Sequence, residues 1–175
     1  MISLYNASIP CFIHALQNLS EILKKGAAYA AEKKFDPAVL VNARLAPDMF
    51  PLAKQVQITT DIDKGFAARI SGTENPKYED NETSFDELQA RIAKTIAFLK
   101  SIDEKKVAGQ EARNIELTVG KRDLKFNGLD YLLQFVIPNV YFHITVAYSI
   151  LRHNGVALGK NDFLGNIQRE QKQAA

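Results

Sequence analysis

The sequence predicts a mainly all-α protein: a four-helix bundle with a small β-hairpin inserted between the third and fourth helices. Three observations carry this. Four long segments place their apolar residues at steps of three, four and seven, the mark of helices with one buried face. Between residues 113 and 127 that period falls to two. The 175 residues, 46% hydrophobic and 24% charged, suit one soluble domain with a real core. The expected domain spans residues 1–165, and the polar tail 166–175, "NIQREQKQAA", is expected to fray.

Helix one lies within segment 3–33, where Leu4, Cys11, Phe12, Ala15, Leu16, Leu19, Ile22 and Leu23 share a face. Ser3 reads as its N-cap, and Pro10 predicts a kink or a late start. Asp36-Pro37 then reads as an N-cap with proline at the first helical position, opening a short turn to about Val41. "ARLAPDMFP" is a connector, with Asp48 the expected N-cap of helix two. Helix two runs from about 51 to 70 and stops before Ser71-Gly72.

Residues 72–83, "GTENPKYEDNET", form a polar, acidic loop. "SFDE" at Ser84 is a capping box that opens helix three, whose face holds Phe85, Leu88, Ile92, Ile96, Leu99 and Ile102. A two-residue Gly120-Lys121 turn would pair Val119 with Arg122, Leu117 with Leu124, Ile115 with Phe126 and Glu116 with Lys125. One register thus satisfies both the apolar face and the charge pair, which predicts a hairpin with a II′-type turn. Helix four spans about 129–153 and ends at Asn154-Gly155. The following "VALGKNDFLG" carries enough apolar residues to dock. The bundle needs at least one long connection, and the 36–50 segment offers room for a crossover.

Charge and composition exclude several roles. A net charge of +2, with basic runs no longer than pairs such as Lys24-Lys25 and Lys105-Lys106, argues against nucleic acid. The single cysteine, Cys11, excludes an internal disulfide and suits a reducing cytoplasm. No apolar run is long enough to span a bilayer, and the start lacks the pattern of a signal peptide. No phosphate loop, C-x-x-C, H-E-x-x-H or nucleophile elbow occurs.

A helical bundle builds its sites from inward-facing polar side chains. On helix two, Thr59 and Asp63 fall in the middle of the stripe Leu52, Val56, Phe66 and Ile70. On helix four the stripe is Leu129, Leu132, Val136, Val140, Ala147 and Leu151. His143 lies inside it, and Asn139 lies one turn earlier at its border. A shared pocket of Asp63, Asn139 and His143 is one reading. A satisfied core histidine, an aspartate at the solvent end of its stripe and a threonine bonded to its own helix form the other. Pro138 frees a carbonyl one turn earlier, near Gln134, and either kinks the helix at the site or merely breaks it. His14 shares a side with Gln17, Asn18 and Glu21 and reads as solvated; His153 reads as a helix C-terminal cation; Cys11 reads as an inert core thiol.

The helix order, the insert before helix four and its "NVYFH" start resemble the DinB-like (YfiT-like) metalloenzyme superfamily. More closely, "SLYNASIPCFIHALQNL", "ARLAPDMFPLAKQVQ", "YEDNETSFDELQARI" and "ILRHNGVALGKNDFLG" resemble an uncharacterised bacterial family of unknown function within it, over about residues 2–165. The resemblance implies a divalent metal held by one histidine of helix two and an H-x-x-x-H of helix four. It also implies thiol-dependent transferase, isomerase or hydrolase activity in some members, and homodimers. His143 matches the last ligand, while Asn139 stands where the other helix-four histidine is expected. Helix two has no histidine; Gln57, Thr59 or a nearby polar residue occupies that region. Two of the three expected ligands are therefore absent, and one imidazole with an amide is a poor transition-metal set.

The leading reading is a cytoplasmic homodimer with a degenerate metal site that binds a small ligand or a partner. In the alternative it is an enzyme. His143 would then be the base or sole imidazole ligand, Asp63 its orienting carboxylate, and Asn139 and Thr59 ligand contacts. A third reading is purely structural, with helix faces that serve dimerisation.

Overall fold

The computed structural model describes residues 3–166; the remainder of the tail expected to fray lies outside the described residues. Helix α1 is Ile9–Lys33, with proline in its first turn. The chain settles Pro10 by a late start, because a proline at that position loses no helical hydrogen bond. Ser3 caps a preceding turn instead of the helix, its Oγ accepting from the Asn6 N–H at 3.1 Å. Ile9, Phe12, Leu16, Leu19 and Leu23 are buried. Cys11 is exposed, which corrects its reading as a core thiol. The stripe begins at Ile9 and Phe12, and Cys11 is turned about 100° away from Phe12.

Helix α2 is Ala38–Val41, and Asp36 accepts from the Ala38 N–H at 2.9 Å as expected. Helix α3, Leu52–Ser71, starts from extended Pro51 with no side-chain cap. Asp48 is exposed and does not cap it, since the extended Phe50-Pro51 step carries the chain past the aspartate's reach. Helix α4, Phe85–Lys100, opens on the expected capping box, with Glu87 N–H to Ser84 Oγ at 3.3 Å and Ser84 N–H to Glu87 Oε2 at 3.0 Å. A short α5, Glu104–Val107, leads to strands β1, Ile115–Val119, and β2, Arg122–Phe126. Their register pairs Ile115 with Phe126, Leu117 with Leu124, and Val119 with Arg122, as read from the sequence. Gly120 has φ +62° and Lys121 does not share a positive φ, which fits a II′ turn and not its I′ relative.

The fourth long helix is composite. It comprises α6, Gly128–Asp130, a π-helical turn, Tyr131–Val136, and α7, Ile137–His153. The wider turn explains how Pro138 fits inside a continuous helix. Its ring would press on the carbonyl one turn back, and an extra residue in that turn makes the room. The same extra residue rotates everything before it. Leu129, expected in the buried stripe, is 42% exposed, while Tyr131 takes the interior position at 1%. A last helix, α8, Lys160–Leu164, packs on α1, so the apolar segment after α7 does dock.

Side-chain contacts fix the topology. Ser20 meets Gln89, and Gly26 sits against Phe85, so α1 and α4 run antiparallel. Gly26 also faces Leu151, and Tyr29 faces Gly155, so α1 and α7 run parallel. A β-carbon on Gly26 would come 3.0 Å from Leu151 Cδ2 and 3.1 Å from Phe85 Cζ, so a larger residue there would push on side chains of two neighbouring helices. Gln55 meets His143 and Phe66 meets Tyr131, so α3 and α7 run antiparallel. Hence α3 and α4 are parallel neighbours, and the chain must return the length of the bundle between them. The loop 72–83 makes that return: Asn75 lies by Lys64, Glu82 by Gln57 and Asp80 by Lys54. The acidic loop of the sequence is an overhand strap along α3. The connections 34–51 and 101–127 cross the bundle diagonally, since among the four long helices α1 and α3 each pack more on α4 and α7 than on each other.

Candidate functional site

Where α3 and α7 face each other, Gln55 enters the interface from the first turns of α3. Its side chain is 2% exposed. Its Nε2 donates to the Phe50 carbonyl at 2.9 Å, back across Pro51. That bond leaves Oε1 pointing at α7, where it lies 2.7 Å from His143 Nδ1. An amide oxygen only accepts, so Nδ1 carries the hydrogen. Burial holds the His143 imidazole below its ordinary pKa, favouring the neutral ring. His143 is half-buried, with the exposed Phe142 edge-on to its ring at 5.2 Å between centroids. Nε2 has no hydrogen-bond partner among the described residues and is not completely buried.

Asn139 faces a different duty. Its Nδ2 donates to the Phe135 carbonyl at 2.6 Å, within the π-helical turn. It bonds the carbonyl four residues back on its own helix. Thr59 is fully buried, and its hydroxyl donates to the Gln55 carbonyl at 2.8 Å, bonding its own helix.

Asp63 is fully buried, and neither carboxylate oxygen has a partner among the described residues. It does not sit at the solvent end of its stripe. Burial alone pushes its carboxyl well above the usual range, so the neutral acid is the favoured form. The structure does not bring Asp63 to His143. Along α3, Asp63 lies about 12 Å of helix rise beyond Gln55, the residue that meets the ring. The orienting partner expected in Asp63 is thus supplied by Gln55, which sequence reasoning missed. A stripe count treats a glutamine near a helix start as surface, and only the facing helix shows that it is enclosed.

The divalent metal implied by the resemblance can be tested against these donors. His143 offers one imidazole; Gln55 and Asn139 offer neutral amides, both already engaged. Among the described residues no group of three His, Cys, Asp or Glu converges. Zinc-type ions take imidazole, thiolate or carboxylate donors, so the set does not fit the three-imidazole centre.

A second polar cluster surrounds Arg91 of α4, which is 3% exposed. Its guanidinium donates to Thr60 Oγ1 at 2.7 Å, Asp61 Oδ1 at 2.8 Å and Glu82 Oε1 at 2.9 Å, and lies 3.1 Å from Asp80 Oδ1. The ring of Tyr78 lies 5.1 Å from the guanidinium carbon and 4.3 Å from Lys94 Nζ. A groove of about 480 Å³ runs past Tyr78, Arg91 and Lys94. Its buried cation is answered by carboxylates of the strap and α3, which makes Arg91 the anchor of the strap. On α1, Asn18 is buried and His14 is half-buried, so neither is on a fully solvated face. Asn18 donates to the Phe163 carbonyl at 3.1 Å, and His14 Nε2 lies 2.9 Å from the Leu164 carbonyl oxygen, clasping α8.

Comparison with known proteins places this geometry. A family model described as a domain of unknown function, DUF1993, matches residues 4–164. Among solved structures, a DinB family member protein from Shewanella denitrificans is similar, with a TM-score of 0.86 and 40% sequence identity over 95% of this chain and 94% of that one. No curated protein matches. The chain belongs to the DUF1993 family, a domain of unknown function, and is a DinB family helical bundle.

Proposed function

We propose that this DinB family bundle is a small-ligand-binding protein whose metal site is degenerate, working as a cytoplasmic homodimer. The observation that carries the reading is the Gln55–His143 hydrogen bond. It occupies one ring nitrogen with an amide and leaves the other without a partner among the described residues, beside an exposed aromatic ring. A neutral imidazole acceptor beside an apolar surface suits a small molecule that brings an O–H or N–H donor on an apolar body. Support for the dimer is the exposed apolar set Leu133, Tyr141 and Phe142 along the fourth helix, with the homodimers of the superfamily. Among the described residues no helix is long and apolar enough to cross a membrane. The lone cysteine suits a reducing compartment.

Metal analysis of protein purified without a histidine tag tests the degenerate site. Metal well below one ion per chain is expected. One ion per chain, lost on His143→Ala, overturns the reading. Sedimentation tests the dimer, and a monomer at micromolar concentration contradicts it.

One observation favours a second reading. The open Nε2 of a neutral, oriented imidazole is also what a general base needs, and Gln55 would hold it as an acceptor holds the histidine of a catalytic triad. Asp63 takes no part in that version, being two helical turns away.

A further inference from the structure

We propose that Gln55 is a positioning residue for His143: it fixes the ring as the Nδ1–H tautomer and so presents Nε2 as the acceptor for a ligand O–H or N–H. The ligand part rests on the small-ligand reading above; the tautomer part stands on the geometry alone.

The direction of the relay follows from what each atom can do. The Phe50 carbonyl only accepts, so the Gln55 atom 2.9 Å from it must be the amide nitrogen. Turning the amide over would set two oxygens against each other at Phe50 and two N–H donors against any protonated ring nitrogen. The oxygen therefore faces His143, 2.7 Å from Nδ1, and the hydrogen between them belongs to the ring. A neutral imidazole has one N–H, so Nε2 is left with its lone pair. Gln55 is itself held on both sides: its side chain is almost wholly buried and its amide is tied to backbone. A free histidine in water prefers the other tautomer, with hydrogen on Nε2. The contact thus reverses an intrinsic preference, which a merely space-filling residue would not do.

Long-range ¹H–¹⁵N correlation spectra of the full, ¹⁵N-labelled chain read the tautomer directly, at a pH above the imidazole's titration. His143 is assigned by the peaks lost in His143→Ala. In the unmodified protein, pyrrole-type nitrogen at Nδ1 and pyridine-type nitrogen at Nε2 are expected. In Gln55→Ala the ring should revert mostly to Nε2–H. Gln55→Glu keeps an acceptor against Nδ1–H and should keep the original tautomer. Pyrrole-type nitrogen at Nε2 in the unmodified protein overturns the proposal, as does Gln55→Ala with its tautomer unchanged. If Gln55→Ala does not fold, the spectrum of the unmodified chain still decides.

Phenol and its methyl ether serve as probes of the ligand part. Phenol should move the Nε2 resonance and the ether should not, and a shared or absent response contradicts Nε2 as the acceptor. Zinc separates this proposal from the reading it rests on. Stoichiometric zinc on Nε2, with Nδ1 still protonated, removes the degenerate-site reading and leaves Gln55's positioning role standing.

Discussion

Arg91 and Glu82 meet at 2.9 Å across the boundary between helix α4 and the overhand strap, with the Arg91 side chain buried and Glu82 nearly so. Gln57 donates to the other oxygen of the same carboxylate at 2.9 Å, so strap, α3 and α4 share one ion cluster. The strap has no apolar residue buried in the core between Ile70 and Phe85. Its attachment is therefore electrostatic, and that dependence can be tested.

Replacing Arg91 with Met keeps much of the packing volume and removes the cation. Glu82 then loses its only cation among the described residues, while Asp61 keeps Lys64 and Asp80 keeps Lys54. The expected loss is about 3 kcal/mol, at the low end for a broken buried pair because the carboxylates are partly exposed. Urea unfolding measures it, and limited proteolysis should find new cleavage within residues 72–83. An unchanged midpoint and an uncut strap would show that the ion cluster is dispensable.

Asp63 gives a pH dependence whose sign is fixed. Burial raises its pKa in the folded chain above the ordinary aspartate value of the unfolded one. Between those two values the folded state binds more protons than the unfolded state, so stability falls as pH rises through that window and is level above it. Asp63→Asn cannot ionise and should lack this slope. The difference in urea midpoint between the two proteins, followed from acid to neutral pH, isolates Asp63 from carboxylates such as Asp80 that slope the opposite way. Parallel curves would mean that the carboxyl ionises freely. Asp63→Leu should stabilise the fold at neutral pH by about 1–3 kcal/mol, since no partner is lost.

The clasp on α8 predicts a smaller effect. Asn18→Ala removes the donor to the Phe163 carbonyl and leaves a carbonyl short of a partner, for an expected cost of about 1–2 kcal/mol. Amide hydrogen exchange should rise across residues 160–165 and stay unchanged in α3. A uniform rise across the bundle would show that the segment and the bundle unfold as one unit.

Much of the fold was legible because local rules agreed with each other. The hairpin register followed from one turn that satisfied apolar and charged pairs together, and the Ser84 capping box followed from two residues. The composite fourth helix was not legible, because a π-helical turn costs one residue of phase and no local signal marks it apart from Pro138. That lost phase is why Leu129 was placed inside and Tyr131 was not. At the candidate site, His143 stood out in the sequence because it lies inside an apolar stripe, with Asn139 at that stripe's border. Gln55 and Arg91 were missed because a long polar side chain on a helix reads as surface until a facing element covers it. The direction of the 72–83 strap was hidden for a related reason: helix patterns give faces, and the sense in which two helices run depends on which loop must cross the bundle.

The positions of the proposed degenerate centre can also be used constructively. Gln55→His with Asn139→His adds two imidazoles to His143, on the two helices where the superfamily is expected to hold its metal. With zinc at one hundred times its dissociation constant, the double variant should gain about 2.7 kcal/mol of stability. Calorimetric titration of zinc into the unmodified, tag-free chain, with this variant as the positive control, tests the central claim most directly. The expected result is saturable one-to-one binding in the variant and none in the unmodified chain. One-to-one binding in the unmodified chain, abolished by His143→Ala, would contradict the account.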